Sequence, residues 1–340
     1  MSKIEYPDFV DVVSKYDFLC FVESKTDDLD TPCLPEFMFK MKNRHPLGKR
    51  KSGGIVLATK EKYSDYVSVI ENDSKYVLWF KIDKTLTDMK TDMIFGIVYI
   101  PPENSKYCCS DPYGKIEREF LNLSKNEKVV ILGDFNARTA NEKDFIDISE
   151  TESELFNTDV LYLLEESNIP LLRNSKDCVK NNFGNNLLNF CKGNNLFICN
   201  GRYGDSSAGY TCKDISVIDY VIVSPDMFRF TKSLDVLDFN NLLSYVHNPI
   251  TFTLHFENDT CISNVSKVQQ DLNPEIKVKK WDTTKCKDFE NNLDHNKISE
   301  LIEILDNDNI QSYTKESVNE LTTKLCNIMM NTAEKNFGYI

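Results

Sequence analysis

One segment of the sequence combines a buried strand with polar side chains suited to acid–base chemistry. The apolar run Val129–Leu132 is followed by Gly133, Asp134, Phe135 and Asn136. The glycine permits a tight turn, and polar side chains two positions apart in an extended segment point the same way. The Asp134 carboxylate can then orient or deprotonate a water molecule, and the Asn136 amide can hold a phosphate oxygen without adding negative charge.

A second acidic residue, Asp219, lies within the apolar run Val217–Val223. A carboxylate inside such a run costs free energy unless it is paired or functional, and its expected role is to accept a hydrogen bond from a histidine and fix the ring's tautomer. The alternative is a buried carboxylate that caps local backbone. His247, just before the predicted strand Ile250–His255, is the candidate acid, base or transition-state group.

A third carboxylate, Glu23, directly follows the apolar run Phe18–Val22. A carboxylate leaving a buried strand is placed to hold a hard cation such as Mg²⁺, which prefers oxygen ligands. Taken alone, Glu23 is more typical of an ordinary carboxylate at a strand end.

The elements that position these residues follow from the apolar pattern. Alternating and continuous apolar runs predict strands at Asp17–Val22, Gly54–Ala58, Tyr76–Ile82, Met93–Ile100, Val129–Leu132, Leu196–Cys199, Val217–Val223 and Ile250–His255. Helical spacing predicts helices around Ile116–Leu123 and Leu187–Cys191. An excess of strands with a few helices favours two sheets packed face to face and covered by helices.

The pattern changes near residue 258, where the strand signals stop. Pro274 and a cluster of lysines predict a linker over residues 257–280. Apolar residues then repeat at helical spacing from Ile298 and again from Val318, which predicts a helical tail over residues 281–340.

Composition and charge bound the functional classes. With 340 residues, 41% of them apolar, the chain is predicted to be globular, and it has no apolar run of membrane-spanning length and no signal-peptide segment. We therefore expect an intracellular protein, nuclear or cytoplasmic, with no membrane partner.

The net charge of −13 argues against generic binding to polyanions. A bound cation can reverse that sign locally. A basic stretch from Lys40 to Lys51, which includes Arg44, is either a solvated loop or a contact to a nucleic-acid backbone.

Several motifs occur in an order that resembles the endonuclease/exonuclease/phosphatase superfamily. They are Glu23, Tyr99-Ile-Pro, Gly133-Asp-Phe-Asn136, Ser216-Val-Ile-Asp219-Tyr and His247-Asn-Pro. The closer likeness, carried by Phe183–Cys191 and Leu196–Asp205, is to the endonuclease domains of non-LTR retrotransposons and proteins derived from them. This likeness covers residues 5–256, and the tail is similar to the linker that leads toward a reverse transcriptase in such elements.

The resemblance implies an α+β fold: a four-layer αββα sandwich of two packed, mainly antiparallel sheets flanked by helices, with a C-terminal helical extension. It also implies metal-dependent hydrolysis of phosphodiester bonds in DNA. Glu23 would ligate Mg²⁺ or Mn²⁺, and Asp134 would activate the attacking water. Asp219 would orient His247, which would stabilise charge on the transition state.

The resemblance also implies residues that contact the substrate. Tyr99 and Asn136 would contact the scissile phosphate, and Arg202, in the segment Gly201-Arg-Tyr-Gly-Asp205, is a further candidate binding residue that favours nucleic acid. DNA is the expected partner, and no obligate protein partner is inferred.

Two departures from the family pattern leave alternatives open. Val246 stands where the family has an aspartate before its histidine, and the family's first strand, which carries a phosphate-site asparagine, is expected to be missing. One misplaced group can lower activity about 100-fold. The alternatives are a weakened endonuclease, a catalytically inactive remnant that serves as a binding or scaffold protein, and a phosphatase or phosphodiesterase acting on a substrate other than nucleic acid.

Overall fold

A computed structural model describes residues 3–4, 6–44, 51–87, 89–123, 128–146, 163–164, 166–256, 285–307 and 315–337. The chain divides into two compact units, Met1–Cys261 and Ile262–Ile340. The predicted linker, residues 257–280, lies outside the described residues. In the described part of the chain, no helix has the length and apolarity needed to cross a bilayer.

The first unit is built mainly of strands. Its strands are β1 (Phe18–Val22), β2 (Phe37–Lys42), β3 (Ile55–Lys60), β4 (Val67–Ile70), β5 (Val77–Ile82), β6 (Met93–Tyr99), β7 (Lys128–Asp134), β8 (Phe197–Ile198), β9 (Asp219–Val223), β10 (Thr231–Val236) and β11 (Ile250–Leu254). Its helices are α1 (Pro7–Val13), α2 (Lys84–Thr87), α3 (Pro112–Leu123) and α4 (Asn182–Gly193).

These strands form a six-stranded sheet of order β4-β5-β6-β7-β9-β8, a three-stranded sheet of order β1-β3-β2, and the pair β10-β11. Within the large sheet, β6 and β7 are parallel and the other neighbours are antiparallel. Among the described residues, the second strand layer therefore consists of two pieces, the three-stranded sheet and the β10-β11 pair.

Alternation along β1 explains how the layers stack. Phe18, Cys20 and Val22 pack into the core shared with the six-stranded sheet, whereas Leu19 and Phe21 face the opposite side and pack with residues of α1. Successive side chains in a strand point to opposite faces, so one short strand contributes to two cores.

The central strands of the large sheet are buried on both faces, which is why they read as continuous apolar runs. In β6, Ile94 and Val98 pack with residues of α3 and α4, while Ile97 and Tyr99 face the inner core between the sheets. Helices thus cover the outer faces of two packed sheets. The predicted α+β sandwich is confirmed.

Some elements differ from the predicted ones. The strands β2, β4 and β10 were not predicted, because lysines, serines or aspartate interrupt their apolar pattern, and each lies at the edge of its sheet. The strand predicted from Val217 begins instead at Asp219. Asp219 therefore lies at a strand end and not in the middle of a strand, and its carboxylate can face a cleft.

The second unit is helical in the residues described. It contains α5 (Cys286–Asn291), α6 (His295–Asn307) and α7 (Lys315–Phe337). Phe289 and Ile328 are buried, whereas Ile302, Leu305 and Leu325 are about half exposed. The predicted apolar spacing therefore forms helices here, although part of the apolar surface stays open to solvent.

Candidate active site

The register of three neighbouring strands brings three polar side chains to one place. Tyr99 at the end of β6 pairs with Asp134 at the end of β7, and Asp134 pairs with Asp219 at the start of β9. Tyr99, Val130 and Val221 face the inner core, and alternation places Asp134 and Asp219 on that same face. One end of the inner face therefore carries a phenol and two carboxylates side by side.

Asp134 is the more buried of the two carboxylates, with 3% of its surface exposed against 8% for Asp219. Its carboxylate accepts a hydrogen bond from the Asn136 backbone N–H at 2.8 Å. Burial raises the pKa of Asp134 well above its ordinary value, and the negative charge of Asp219 raises it further. A carboxylate with a raised pKa is a stronger base at neutral pH than an exposed aspartate.

Asn136 is held in a strained conformation beside this carboxylate. Its φ is +49°, in the left-handed region, and its side-chain amide donates to the Ile100 carbonyl at 2.8 Å and to Asp134 at 3.2 Å. Asn181 fixes the Asn136 backbone by donating to its carbonyl at 3.1 Å, and the Asn181 side chain also caps α4 through the Gly184 N–H. The turn after β7 is thus tied to the start of a helix.

Asp219 and His247 form a hydrogen-bonded pair, with Asp219 Oδ2 and His247 Nδ1 2.9 Å apart. The residues around it are also fixed. The buried Thr211 hydroxyl accepts the Asp219 N–H at 3.1 Å, and the Thr211 carbonyl accepts the Asn248 N–H at 2.8 Å. The same turn therefore positions both members of the pair.

The environment of His247 favours its charged form. Burial lowers the pKa of an imidazole, but the hydrogen bond and charge of Asp219, together with the charges of Asp134 and Glu23, outweigh burial and raise the pKa of His247 to about 9. At neutral pH the ring is an imidazolium. Because Nδ1 is engaged by Asp219, Nε2 is the N–H available to a ligand in the cleft.

Glu23 reaches the same site from the opposing sheet. It follows β1 with a φ of +52°, and its Oε1 accepts a hydrogen bond from the Tyr99 hydroxyl at 2.5 Å. The turn after Glu23 is held by backbone hydrogen bonds from Ser24 to Gly54 and from Lys25 to Gly53. Burial and the Glu23 hydrogen bond both raise the pKa of Tyr99, so its phenol stays protonated and can donate.

The donor atoms fit a hard divalent cation. Among the described residues, Asp134, Asp219 and His247 form a group whose ligand atoms all lie within 4.8 Å of one another, and Glu23 is close enough to shift the pKa values of Asp134 and His247. The carboxylates of this group are the oxygen ligands that a hard divalent cation prefers.

Arg202 requires a correction. Its guanidinium is fully buried, donates to both oxygens of Asp144 at 2.8 Å, and donates to the Leu171 carbonyl at 2.6 Å. A substrate cannot reach a group in this position, so the prediction that Arg202 binds substrate is wrong. The Gly-Arg segment that motivated it fixes the loop after β8 through a buried ion pair.

Val246 lies beside His247 in the segment where the family pattern has an acidic residue. Its carbonyl accepts the Lys213 N–H at 2.9 Å, and its own N–H donates to the Ser244 hydroxyl at 3.3 Å. The side chain is half-buried and offers no ligand atom. The acidic cluster thus has one carboxylate fewer than the family pattern implies.

Three residues near the site were not predicted from the sequence. Thr211 and Asn181 act through backbone hydrogen bonds, which no sequence pattern reports. The guanidinium of Arg44 lies over the Tyr99 ring, with its Cζ 4.8 Å from the ring centroid. The basic stretch that contains Arg44 was a signal, although it did not single out this residue; His45 to Arg50 of that stretch lie outside the described residues.

Comparison with known proteins identifies the architecture. No family model matches the sequence, and no curated protein matches it. The structure is similar to the AP endonuclease LMAP from Leishmania major, with a TM-score of 0.52 and 13% identity over 75% of this chain and 82% of that chain.

The fold is an AP endonuclease-like sandwich.

The 3'-5' exonuclease NExo from Neisseria meningitidis also matches, with a TM-score of 0.47 and 17% identity over 73% of this chain and 94% of that chain. At these identities the likeness to solved structures extends to the fold alone.

Proposed function

We propose that this protein is a metal-dependent phosphodiesterase that cleaves DNA as an endonuclease. The observation that carries the proposal is the meeting of Glu23, Tyr99, Asp134 and the Asp219–His247 pair at one end of two packed sheets. Carboxylates for a cation, a raised-pKa base and an imidazolium in one cleft are the groups that phosphodiester hydrolysis requires.

Each group has a role that its surroundings support. Glu23, whose carboxylate accepts a hydrogen bond from Tyr99, would hold the Mg²⁺ or Mn²⁺ ion. Asp134 orients and deprotonates the attacking water, and its hydrogen bond from Asn136 holds it in position. When substrate binds, the Tyr99 hydroxyl, which here donates to Glu23, and the Asn136 amide, which here donates to Asp134, turn to donate to the scissile phosphate. Neither the phenol nor the amide adds negative charge beside it.

The Asp219–His247 pair acts on the charge that develops during hydrolysis. Asp219 holds the ring through Nδ1, so the Nε2–H of the imidazolium points its charge at a non-bridging phosphate oxygen. A divalent cation supplies further positive charge to the phosphate and the leaving oxygen when bound.

A plasmid-nicking assay in Mg²⁺ or Mn²⁺ tests the proposal. The parent protein is expected to convert supercoiled plasmid to the open-circular form. Asp134→Asn and His247→Ala are each expected to lose at least 100-fold in rate, because they remove the base and the charge stabiliser. Nicking that survives both substitutions would assign the activity to a contaminant and sink the proposal.

Val246 favours one alternative, a catalytically inactive remnant that binds nucleic acid or acts as a scaffold. If the missing carboxylate is what limits the enzyme, Val246→Asp increases nicking by about tenfold or more. If neither the parent nor Val246→Asp nicks DNA, while the parent still binds it, the scaffold alternative replaces the enzyme.

The motifs Phe183–Cys191 and Leu196–Asp205 support an origin from a non-LTR retrotransposon endonuclease, which is why DNA is proposed as the substrate. Hydrolysis of a soluble phosphomonoester or of a phospholipid by the parent, without plasmid nicking, would instead favour a phosphatase acting on another substrate.

A further inference from the structure

Arg44 is a cation at the edge of the site that the proposed mechanism does not use. It follows β2, and its Cζ lies 4.8 Å from the ring centroid of Tyr99 and 5.0 Å from that of Tyr107. A guanidinium stacked on an aromatic face keeps its N–H groups free in its own plane. Arg44 thus brings a permanent positive charge to the ring whose hydroxyl binds Glu23.

The chain provides a fitted space for this guanidinium. Gly53 has a φ of +68°, and a Cβ at that position would lie 2.4 Å from the Arg44 Cζ. Only a residue without a side chain both adopts this backbone conformation easily and leaves room for the arginine. The guanidinium therefore packs against two rings and bare backbone.

The Arg44 guanidinium also has an unused donor. Its Nη2 is buried and has no hydrogen-bond partner among the described residues. By contrast, Arg138 and Arg202 each donate to both oxygens of an aspartate. Arg173 also has unpaired N–H groups, but its charge is balanced by Asp144 at 3.9 Å. A buried cationic donor without an acceptor costs free energy, which an anionic ligand can offset.

We propose that Arg44 binds a phosphate group of the nucleic-acid strand beside the phosphate that is cleaved, an inference that rests on the proposed function. Tyr99 joins the two features, because its hydroxyl faces the catalytic groups while its ring supports Arg44. A planar guanidinium suits phosphate oxygens, to which it can donate two parallel hydrogen bonds. In a protein of net charge −13, this cation locally offsets the repulsion of the substrate.

The salt dependence of DNA binding tests this assignment, because each neutralised phosphate adds about 0.9 to the slope of log K against log salt concentration. The probe is a fluorescein-labelled DNA duplex, its anisotropy measured in Ca²⁺ buffer over a series of NaCl concentrations. Arg44→Gln is expected to lower the magnitude of the slope by about 0.9. The ratio of parental to variant affinity is then roughly eightfold larger at 0.1 M salt than at 1 M.

A matched control separates a local contact from the loss of charge. Arg229 lies in the turn after β9, at the opposite end of that strand from Asp219, and its side chain is 52% exposed beside Asp226. Arg229→Gln removes the same charge and is expected to leave the slope unchanged. An equal effect of both substitutions would overturn the assignment, since it would report only the overall charge.

The outcomes distinguish this proposal from the proposed function. If the parent nicks plasmid and Arg44→Gln keeps the parental slope, the Arg44 assignment is wrong and the nuclease stands. If the parent binds without nicking and the slope falls, the nuclease is wrong and the phosphate contact stands. If the parent does not bind the duplex, Arg44 has no phosphate to contact and the assignment fails, while nicking reports on the nuclease separately.

A second variant covers the case in which Arg44→Gln does not fold, as judged by thermal melting. Arg44→Lys keeps the charge but loses the planar, two-point contact. It is expected to keep the parental salt slope and to lower kcat/KM for nicking by about tenfold. Parental kcat/KM in a folded Arg44→Lys protein would overturn the two-point contact.

Discussion

Asp134 illustrates a conflict between stability and function at a single residue. Its folded-state pKa is raised well above the ordinary 3.8 by burial and by Asp219, so the carboxylate opposes folding as the pH rises above that ordinary value. Asp134→Asn removes the charge and is expected to stabilise the metal-free protein at pH 7, seen as a higher melting temperature. Thermal melting in EDTA measures this, and added Mg²⁺ should reduce the difference by stabilising the parent.

Asp144 is the matched control for that substitution, because it is also a buried carboxylate but its pKa is shifted in the opposite direction. Burial would raise the pKa of Asp144, but Arg202 outweighs burial and lowers it, so its charge favours folding above the ordinary 3.8. Asp144→Asn is expected to destabilise the protein by roughly 3 kcal/mol. Equal destabilisation by both substitutions would show that the Asp134 site carries no stored electrostatic cost.

His247 provides a prediction that can be measured without catalysis. Its pKa of about 9 depends on Asp219, so Asp219→Asn should move it toward the ordinary 6.5. With four histidines in the chain, the His247 ring signal can be assigned by NMR through its loss in His247→Ala, and titrated in both proteins. If the imidazolium stabilises the transition state, kcat/KM of the parent falls as the pH rises through about 9. In Asp219→Asn the same fall with rising pH is expected at a lower pH. A parental pKa near 6.5 would contradict the assignment.

For single residues, the sequence predicts the site side chains that adjoin strand ends. It predicts poorly the role of side chains that depend on contacts with distant parts of the chain. Glu23, Tyr99, Asp134, Asn136, Asp219 and His247 could be selected because each adjoins an apolar run or a recognisable motif, and the structure brings them together. Arg202 was misread because a short Gly-Arg pattern does not reveal that Asp144, 58 positions earlier, lies against it. Arg44 depends in the same way on Gly53 and Tyr99.

Among the structural elements, β7 depends on the glycine that precedes Asp134. Gly133 has a φ of +134°, and a Cβ there would lie 2.0 Å from the Val98 carbonyl oxygen. That oxygen belongs to β6, whose pairing with β7 sets the register of Tyr99 and Asp134. Gly133→Ala is therefore expected to destabilise the first unit by about 3 kcal/mol or more, as measured by urea unfolding.

Gly193 provides the comparison for that measurement. It ends α4 without a positive φ, and a Cβ there would meet only the Glu117 carboxylate at 3.7 Å. Gly193→Ala should be neutral or stabilising by up to about 1 kcal/mol, because alanine reduces the entropy of the unfolded chain. Similar unfolding midpoints for the two variants would mean that β6 shifts to accommodate a side chain at Gly133.

The strands were predictable where an apolar pattern in the sequence indicates burial. The central strands β5, β6 and β7 are apolar on both faces, and their predicted positions agree with the structure to within a few residues. The edge strand β2 reads Phe-Met-Phe-Lys-Met-Lys, so two lysines interrupt its apolar pattern. One of them, Lys42, donates a hydrogen bond to the Val77 carbonyl at 2.9 Å. A contact of that kind depends on a strand of the other sheet, so local pattern cannot report it.

At the scale of the whole molecule, the net charge of −13 opposes the approach of DNA, and the proposed cleft itself is lined by carboxylates. The phosphate-binding face therefore needs a divalent cation to become attractive to a polyanion. Chelation with EDTA is expected to weaken binding of a labelled duplex by at least tenfold, and Ca²⁺ should restore it while the DNA stays intact. Sodium chloride at the same ionic strength must not substitute for Ca²⁺. If affinity is the same with and without the chelator, the DNA is held by a surface away from the carboxylates, and the basic stretch around Arg44 becomes the first place to look for it.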